Sequence, residues 1–471
     1  SDVYKRQPSV GKRHTRLRRK FFNPALPITR RTFIWGAAAS AMHPKLAVSA
    51  SAMAPRVEFT AAADLPVFAL DVKASMAQGR LMIDGRNKAD ISNGLIIEIP
   101  AGADVPAAWW GLRVKKNTRF QDGARVVLRS ADPMRQARLF APGNEGVLEL
   151  QNLSDKVVAF DIENLRIKAG KAGDAVRIDR VDAANLRNLK ISGGKNGVFA
   201  THHPTDITMS DCEVSHAGRQ DGYTHNCYLG YVRSVILRDC YFHSPASPGH
   251  AFKCYSQWLD ARGCTFSHYE SVADRVRGYF GKLPLLDRGA WGQSLLLGNR
   301  FVRRGWVRPT IVDLRNRAFP PGFRPHVKAG WGTQEVPFAE VDNSDPANHH
   351  LFKHALVSNV VENQLTPEDR VLPSLIRRSG TFVRNNGSAP WLASVPGKQQ
   401  QAELPLNWDS RNERTVAYLV DNRVEGIPLR RLAQGWAHRR PSVRTPVRML
   451  DQIPAWLQDW IDGPSGGSWP R

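Results

Sequence analysis

Two stretches of this 471-residue chain hold side chains able to move protons. One reads Asp221-Gly-Tyr-Thr-His225-Asn226-Cys227-Tyr228-Leu229-Gly230, the other Gly249-His250-Ala251-Phe252-Lys253-Cys254-Tyr255-Ser256. His225 and His250 stand 25 residues apart. If that spacing is one turn of a coil, Asn226 stacks on Ala251, Cys227 on Phe252, Tyr228 on Lys253 and Leu229 on Cys254. A phenol beside an ammonium loses its proton more readily, because the cation favours phenolate. Tyr228 is thereby suited to general base or acid work near neutral pH. A partly desolvated Lys253 amine is the alternative base. Asn226 and His225 are candidates to hydrogen-bond a substrate carboxylate, and His250 to orient Lys253 or to bind directly.

Strand alternation sorts the faces of these stretches. With Cys227, Leu229, Phe252 and Cys254 pointing inward, Asn226, Tyr228, Lys253 and Tyr255 point out. The opposite phase would bury Lys253 and Tyr228 and expose Phe252, which costs far more. The expectation is a tyrosine over a lysine on an outer face, with both histidines at the entry to the same sheet.

The coil itself is read from the cysteines. All five, Cys212, Cys227, Cys240, Cys254 and Cys264, fall within 53 residues. Three head near-copies of one phrase, Asp211-Cys212-Glu-Val, Asp239-Cys240-Tyr-Phe and Gly263-Cys264-Thr-Phe. The same slot is filled elsewhere by Leu165, Leu189, Asn299, Asn359, Asn385 and Asn422, and the steps along the series are 24, 23, 28, 24, 35, 60, 26 and 37. A turn of about 24 residues, with loops or double turns at the longer steps, accounts for them. Short aliphatic runs bounded by Gly, Asn, Asp or Pro precede each slot and signal strands and turns. No stretch from 60 to 430 has sustained helical periodicity. In such a coil the turns stack to make the core, so Cys212, Cys240 and Cys264 are expected as thiols in an internal stack. Their spacing is not that of a closed zinc site.

This pattern resembles the right-handed parallel β-helix of pectate-lyase-like proteins over roughly residues 60–430. The two polar phrases also resemble words found in exported bacterial β-helix proteins related to polysaccharide lyases, Gly-His-Asn-x-Tyr-x-Gly and Gly-His-x-x-Lys-Ser-Arg-Ala. The His, Asn, Tyr and Lys positions match, as His225, Asn226, Tyr228, His250 and Lys253. Thr224 replaces the first Gly and Tyr255 the Arg, so a substrate-binding role of that Arg would fall to Arg233 or Arg262. The resemblance implies an all-β, single-stranded parallel β-helix and a polysaccharide lyase acting on a uronic-acid polymer by β-elimination. In that reading Lys253, Tyr228, His225 and His250 are catalytic, and Asn226, Arg219, Arg233, Arg262 and Tyr255 bind substrate. A C5 epimerase shares the proton abstraction, and a non-catalytic carbohydrate-binding scaffold is the third reading. Hydrolysis is disfavoured, because it needs paired carboxylates and these turns hold few. Calcium assists many such lyases and stays open as a cofactor, although Asp221, Asp239 and Asp260 are poorly spaced for it and no metal ligand is assigned.

The formal charge of +23 suits an acidic polymer. Residues 1–54 hold eleven Lys or Arg and one Asp, so their removal leaves the chain near +13. Residues 28–42, with Arg30-Arg31, Phe33 and a short apolar stretch, read as a twin-arginine export signal, with cleavage near Ala50-Ser51-Ala52. Residues 1–7 read as an assembly or cloning remnant. The expected organisation is therefore remnant plus signal at 1–54, β-helix at 55–430 and tail at 431–471. The mature protein is expected in the periplasm or outside the cell, as a monomer without membrane anchor, with an acidic polysaccharide and not a nucleic acid as partner. After residue 265 long loops interrupt the coil, with Trp291, Trp306 and Trp331 as groove-wall candidates. Residues 453–461 predict a short amphipathic helix.

Overall fold

The structure, a computed structural model, describes residues 58–78 and 90–269, except 109, 202, 204, 220–223, 231, 246–248 and 257. Beyond these it describes 286–290, 293–304, 312–317, 326–329, 332–335, 353–364, 406–408, 416–424, 427–428 and 447–462. The expected export signal, Asp221, Trp291, Trp306, Trp331 and Asn385 lie outside the described residues. Among them, no helix is long and apolar enough to cross a membrane.

The chain forms a right-handed parallel β-helix. Its described strands stack into three sheets of 12, 11 and 9 strands, and the hand is that of parallel crossovers generally. One turn runs from Val158–Glu163 in the first sheet, through Leu165–Ala169 in the second and Val176–Asp179 in the third, back to Ala183–Arg187 in the first. Within these three sheets the described pairing is parallel, save where Arg423–Val424 meets Ile427–Pro428, and His326–Ala329 and Gly332–Glu335 form a separate antiparallel pair. The sheets enclose one continuous apolar core.

The repeated phrase is the corner between the first and second sheets. The residue before each slot adopts a left-handed backbone: Asn164, Asn188, Asp211, Asp239, Gly263, Gly298, Ser358 and Asp421, with φ between 45° and 63°. Gly, Asn and Asp visit that region most cheaply, and seven of these eight residues are of those types, Ser358 being the exception. The slot side chain then turns inward. Cys212, Cys240 and Cys264 are buried, unpaired by disulfide, and each donates its S–H to the carbonyl two residues earlier, such as Cys240 to Arg238 at 3.3 Å. Burial holds the Cys227 thiol well above the usual thiol range. Past the cysteines, Asn299, Asn359 and Asn422 continue the stack as an amide ladder. Asn299 Nδ2 donates to Asn359 Oδ1 at 3.0 Å and Asn359 Nδ2 to Asn422 Oδ1 at 2.9 Å.

Among the described residues, two α-helices add to the coil. Val72–Gln78, absent from the sequence reading, is nucleated locally: the Ala74 amide donates to Asp71 Oδ1 at 2.8 Å. The expected C-terminal helix is Ala455–Asp462, and a further strand, Val447–Leu450, joins the first sheet just before it. This helix lies on the outer side of the first sheet, burying Leu457 and Trp460 against Leu295, Ala355, Val357 and Val420. Here the sheet is apolar on both sides, which explains the unbroken Leu295-Leu-Leu297 run.

Arg262 fastens that helix. Its guanidinium donates to the Ile461 carbonyl at 2.6 Å and the Trp460 carbonyl at 3.3 Å, while Asp260 holds it from the sheet at 2.9 Å. Cations favour the carbonyl-rich end of a helix. Replacing Arg262 by Ala should therefore loosen the helix, at a cost of about 1–2 kcal/mol. Cleavage near residue 455 under limited proteolysis should quicken, with the coil's circular dichroism unchanged.

Candidate active site on the third sheet

Strands Cys227–Leu229 and Phe252–Cys254 pair in parallel with Cys227 opposite Phe252, Tyr228 opposite Lys253 and Leu229 opposite Cys254. The flanking positions are fully buried, and Tyr228 and Lys253 are half-buried. Core packing thus fixes the phase, and the phase turns the tyrosine and lysine outward. Tyr255 follows on the same face. Lys253 Nζ sits 5.6 Å from the Tyr228 ring centre and 5.6 Å from that of Tyr255, an ammonium flanked by two phenols. The two phenol rings meet edge to face at 6.0 Å. Phe199, one rung earlier, lies 5.6 Å from Tyr228, and the Arg177 guanidinium is 5.3 Å above Phe199. The outcome is an aromatic floor carrying one central cation.

The histidines lie where expected, at the entry to these strands, but they are buried to 1% exposure. The His250 amide donates to His225 Nδ1 at 3.0 Å, and the rings stand 4.6 Å apart. Accepting at Nδ1 places the proton of a neutral His225 on Nε2. Burial first, then the charges of His250 and Lys253, lower the His225 pKa well below the ordinary histidine value. His225 is therefore a neutral wall of the site, edge-on to Tyr228 at 5.6 Å. A chain of buried polar groups fixes it, with Asn196 Oδ1 accepting from the His225 amide at 2.9 Å and Asn196 Nδ2 donating to Asp174 at 2.8 Å. Burial raises the Asp174 pKa.

A depressed histidine pKa has a definite sign. The unfolded chain takes up this proton near pH 6.5 and the folded one only well below it. The His225 contribution to stability is thus complete above about pH 6.5 and falls as pH drops from there toward the folded value. Urea midpoints on either side of that pH should show the loss in the wild type and a smaller one in His225→Asn, whose amide oxygen can replace Nδ1 as acceptor.

Other expected positions are corrected. Asn226 does not point outward: it is fully buried, donating to the Val214 and His243 carbonyls at 3.2 and 2.6 Å and accepting from the Ala217 amide at 3.0 Å. It lies before the first strand residue, in the corner, where alternation does not extend. Arg233 is bound by Asp206 through two nitrogens, which raises its pKa. Arg262 sits on the first sheet under the C-terminal helix, away from Lys253. Arg219 is exposed, but its guanidinium clasps the Lys171 and Ala172 carbonyls at 3.1 and 2.8 Å. These three arginines therefore have structural partners, and only Tyr255 of the expected substrate-binding set joins Tyr228 and Lys253.

The register also adds residues. The row through Tyr228 and Lys253 continues to Asp287 on Leu286–Ala290 and to Asp313 on Val312–Arg317. Upstream it runs through Phe199 and Arg177 to Glu149. The sequence reading, with few carboxylates near the site, missed both aspartates. Calcium gains no support: Asp260 is held by Arg238 and Arg262, and no cluster of metal-binding side chains occurs among the described residues. No family model, curated protein or solved structure matches the chain.

Proposed function

We propose that this protein is an exported polysaccharide lyase of the pectate-lyase-like superfamily, cleaving a uronic-acid polymer by β-elimination. The observation that carries the reading is the Lys253 ammonium set between two outward phenols, 5.6 Å from each ring centre. β-Elimination breaks the C5–H bond, turns its electron pair into the C4=C5 double bond, and breaks the C4–O4 bond. It asks for a base, a cation beside the carboxylate whose charge grows, and an acid for O4. Tyr228 as phenolate serves as base, Lys253 neutralises the carboxylate, and Tyr255 protonates the leaving oxygen. The aromatic floor of Phe199 and the tyrosines suits the apolar face of a sugar ring. The formal charge, near +13 once residues 1–54 are removed, suits a polyanion.

One observation favours a second reading, hydrolysis. Asp287 and Asp313 are register partners on neighbouring strands, and glycoside hydrolysis calls for a pair of carboxylates. Incubating the protein with a panel of uronic-acid polymers separates the readings. A lyase generates an unsaturated product that absorbs in the ultraviolet. A hydrolase generates reducing ends without that absorbance, and a C5 epimerase changes only the isomer ratio seen by NMR. Reducing ends alone, or isomer change alone, would sink the lyase.

A further inference from the structure

Where the third sheet turns into the first, four successive turns form a cleft of about 1030 Å³. Five cationic side chains line it, Arg113, Lys115, Lys116, Lys156 and Arg180, against two carboxylates, Asp155 and Asp182. The arginines of the first sheet are otherwise consumed in pairs: Arg129 with Glu98, Arg187 with Glu163, Arg238 with Asp260. In the cleft, Arg113 alone has a close carboxylate, Glu149. Lys115, Lys116 and Lys156 form no ion pair among the described residues.

The cleft is braced. Asn152 Nδ2 donates to the Lys156 carbonyl at 2.7 Å and to Asp182 at 2.9 Å, and Asn152 Oδ1 accepts from the Ser154 amide at 3.0 Å. Asp182 also accepts from the Val158 amide at 3.1 Å, so its charge holds the loop in place. Arg180 takes a left-handed backbone, φ 52°, and its Nε is buried without a hydrogen-bond partner. The nearest carboxylate oxygen, on Asp179, is 4.0 Å away. Buried N–H groups in native structures nearly always meet an acceptor. A held cationic wall, with three lysines outside any ion pair among the described residues, fits an anionic oxygen of carboxylate or sulfate type.

We propose that this cleft binds the charged substituents of a polyanionic polysaccharide. Arg113 and Gln151 line it and also stand on the third sheet, whose strands run on to Tyr228 and Lys253. The strand bearing Arg113 is four rungs from the one bearing Tyr228, about 19 Å at the strand spacing. One chain laid along the sheet reaches both, so the cleft sets affinity and the tyrosine–lysine group acts on the bond. The choice of polymer rests on the lyase reading.

The test compares two triple variants of equal charge change, Lys115→Gln/Lys116→Gln/Lys156→Gln in the cleft and Arg166→Gln/Lys168→Gln/Lys190→Gln on the second sheet. Binding is measured by titration with polygalacturonate, alginate, dextran sulfate and inorganic sulfate over a series of salt concentrations. The cleft triple should weaken polymer binding roughly tenfold to a hundredfold and flatten the salt dependence by about two to three units, as lost ion contacts do. The second-sheet triple should stay within about twofold. Arg180→Asn, which tolerates the left-handed backbone, should weaken binding alone. Equal losses in both triples, or none in the cleft triple, overturn the proposal. Sulfate bound as tightly as the polymers overturns the polymeric occupant. The two readings fail separately: polymer bound through the cleft but never turned over removes the lyase and keeps the cleft, and turnover indifferent to the cleft triple does the reverse.

Discussion

Replacing Lys253 by Met should lower turnover of the responsive polymer by about a thousandfold, within the range of lost acid–base or charge-stabilising groups. Polymer affinity should change by less than about tenfold, because a single half-exposed ion pair contributes little binding. Met keeps the apolar stem between the Tyr228 and Tyr255 rings and removes only the charge. The strand is held by Phe252 and Cys254, both fully buried, so the fold should stay intact. Loss of affinity and of kcat/KM in equal measure, with kcat unchanged, would mean that Lys253 only binds. Unchanged turnover would remove the site altogether. Tyr228→Phe and Tyr255→Phe divide the roles: loss of the base should remove the limb of the pH profile that rises with pH, and loss of the acid the limb that falls. A chain in which either phenylalanine variant keeps both limbs does not use that phenol in proton transfer.

Much of this site was legible because its core neighbours are unambiguous. A strand in which Cys227 and Leu229 alternate with a tyrosine, stacked one turn below Phe252 and Cys254, has one phase that buries the apolar set. A shift by one residue would bury a charge, so the hydrophobic pattern chooses the register. The corner phrase was legible for a related reason, since a left-handed residue restricts the side chain and its type recurs each turn. Asn226 was misjudged because period two holds only inside a strand, and the strand here is three residues long. The arginines were misjudged because an ion pair such as Arg233–Asp206 joins neighbouring rungs 27 residues apart and depends on rotamers that no sequence pattern records. Asp287 and Asp313 were hidden by arithmetic. From Lys253 to Asp287 is 34 residues, so a loop of unknown length breaks the 25-residue count that had aligned Tyr228 with Lys253.

The largest effect on stability should come from Phe266→Ala. Phe266 is fully buried and lies parallel between Phe242 at 5.3 Å and Phe301 at 5.2 Å, with interplanar angles of 7° and 13°. Phe252 meets it edge-on at 6.0 Å. Truncating the middle ring removes its transfer energy, opens a cavity that stiff β-rungs close poorly, and deletes three aromatic contacts. The expected cost is about 3–5 kcal/mol. Phe266→Leu refills most of the volume and should cost roughly half as much. In a stacked coil each turn leans only on its neighbours, so the loss should act first on the adjoining rungs and broaden the unfolding transition as well as lower its midpoint. One neighbour is Phe252, next to Lys253 on the same strand. The Ala variant should therefore reduce turnover at temperatures where the coil remains folded, and the Leu variant should restore most of it. Urea denaturation followed by circular dichroism, with assays well below the transition, measures both. A midpoint shift worth less than about 1 kcal/mol would show that the ring stack is not what holds these turns together.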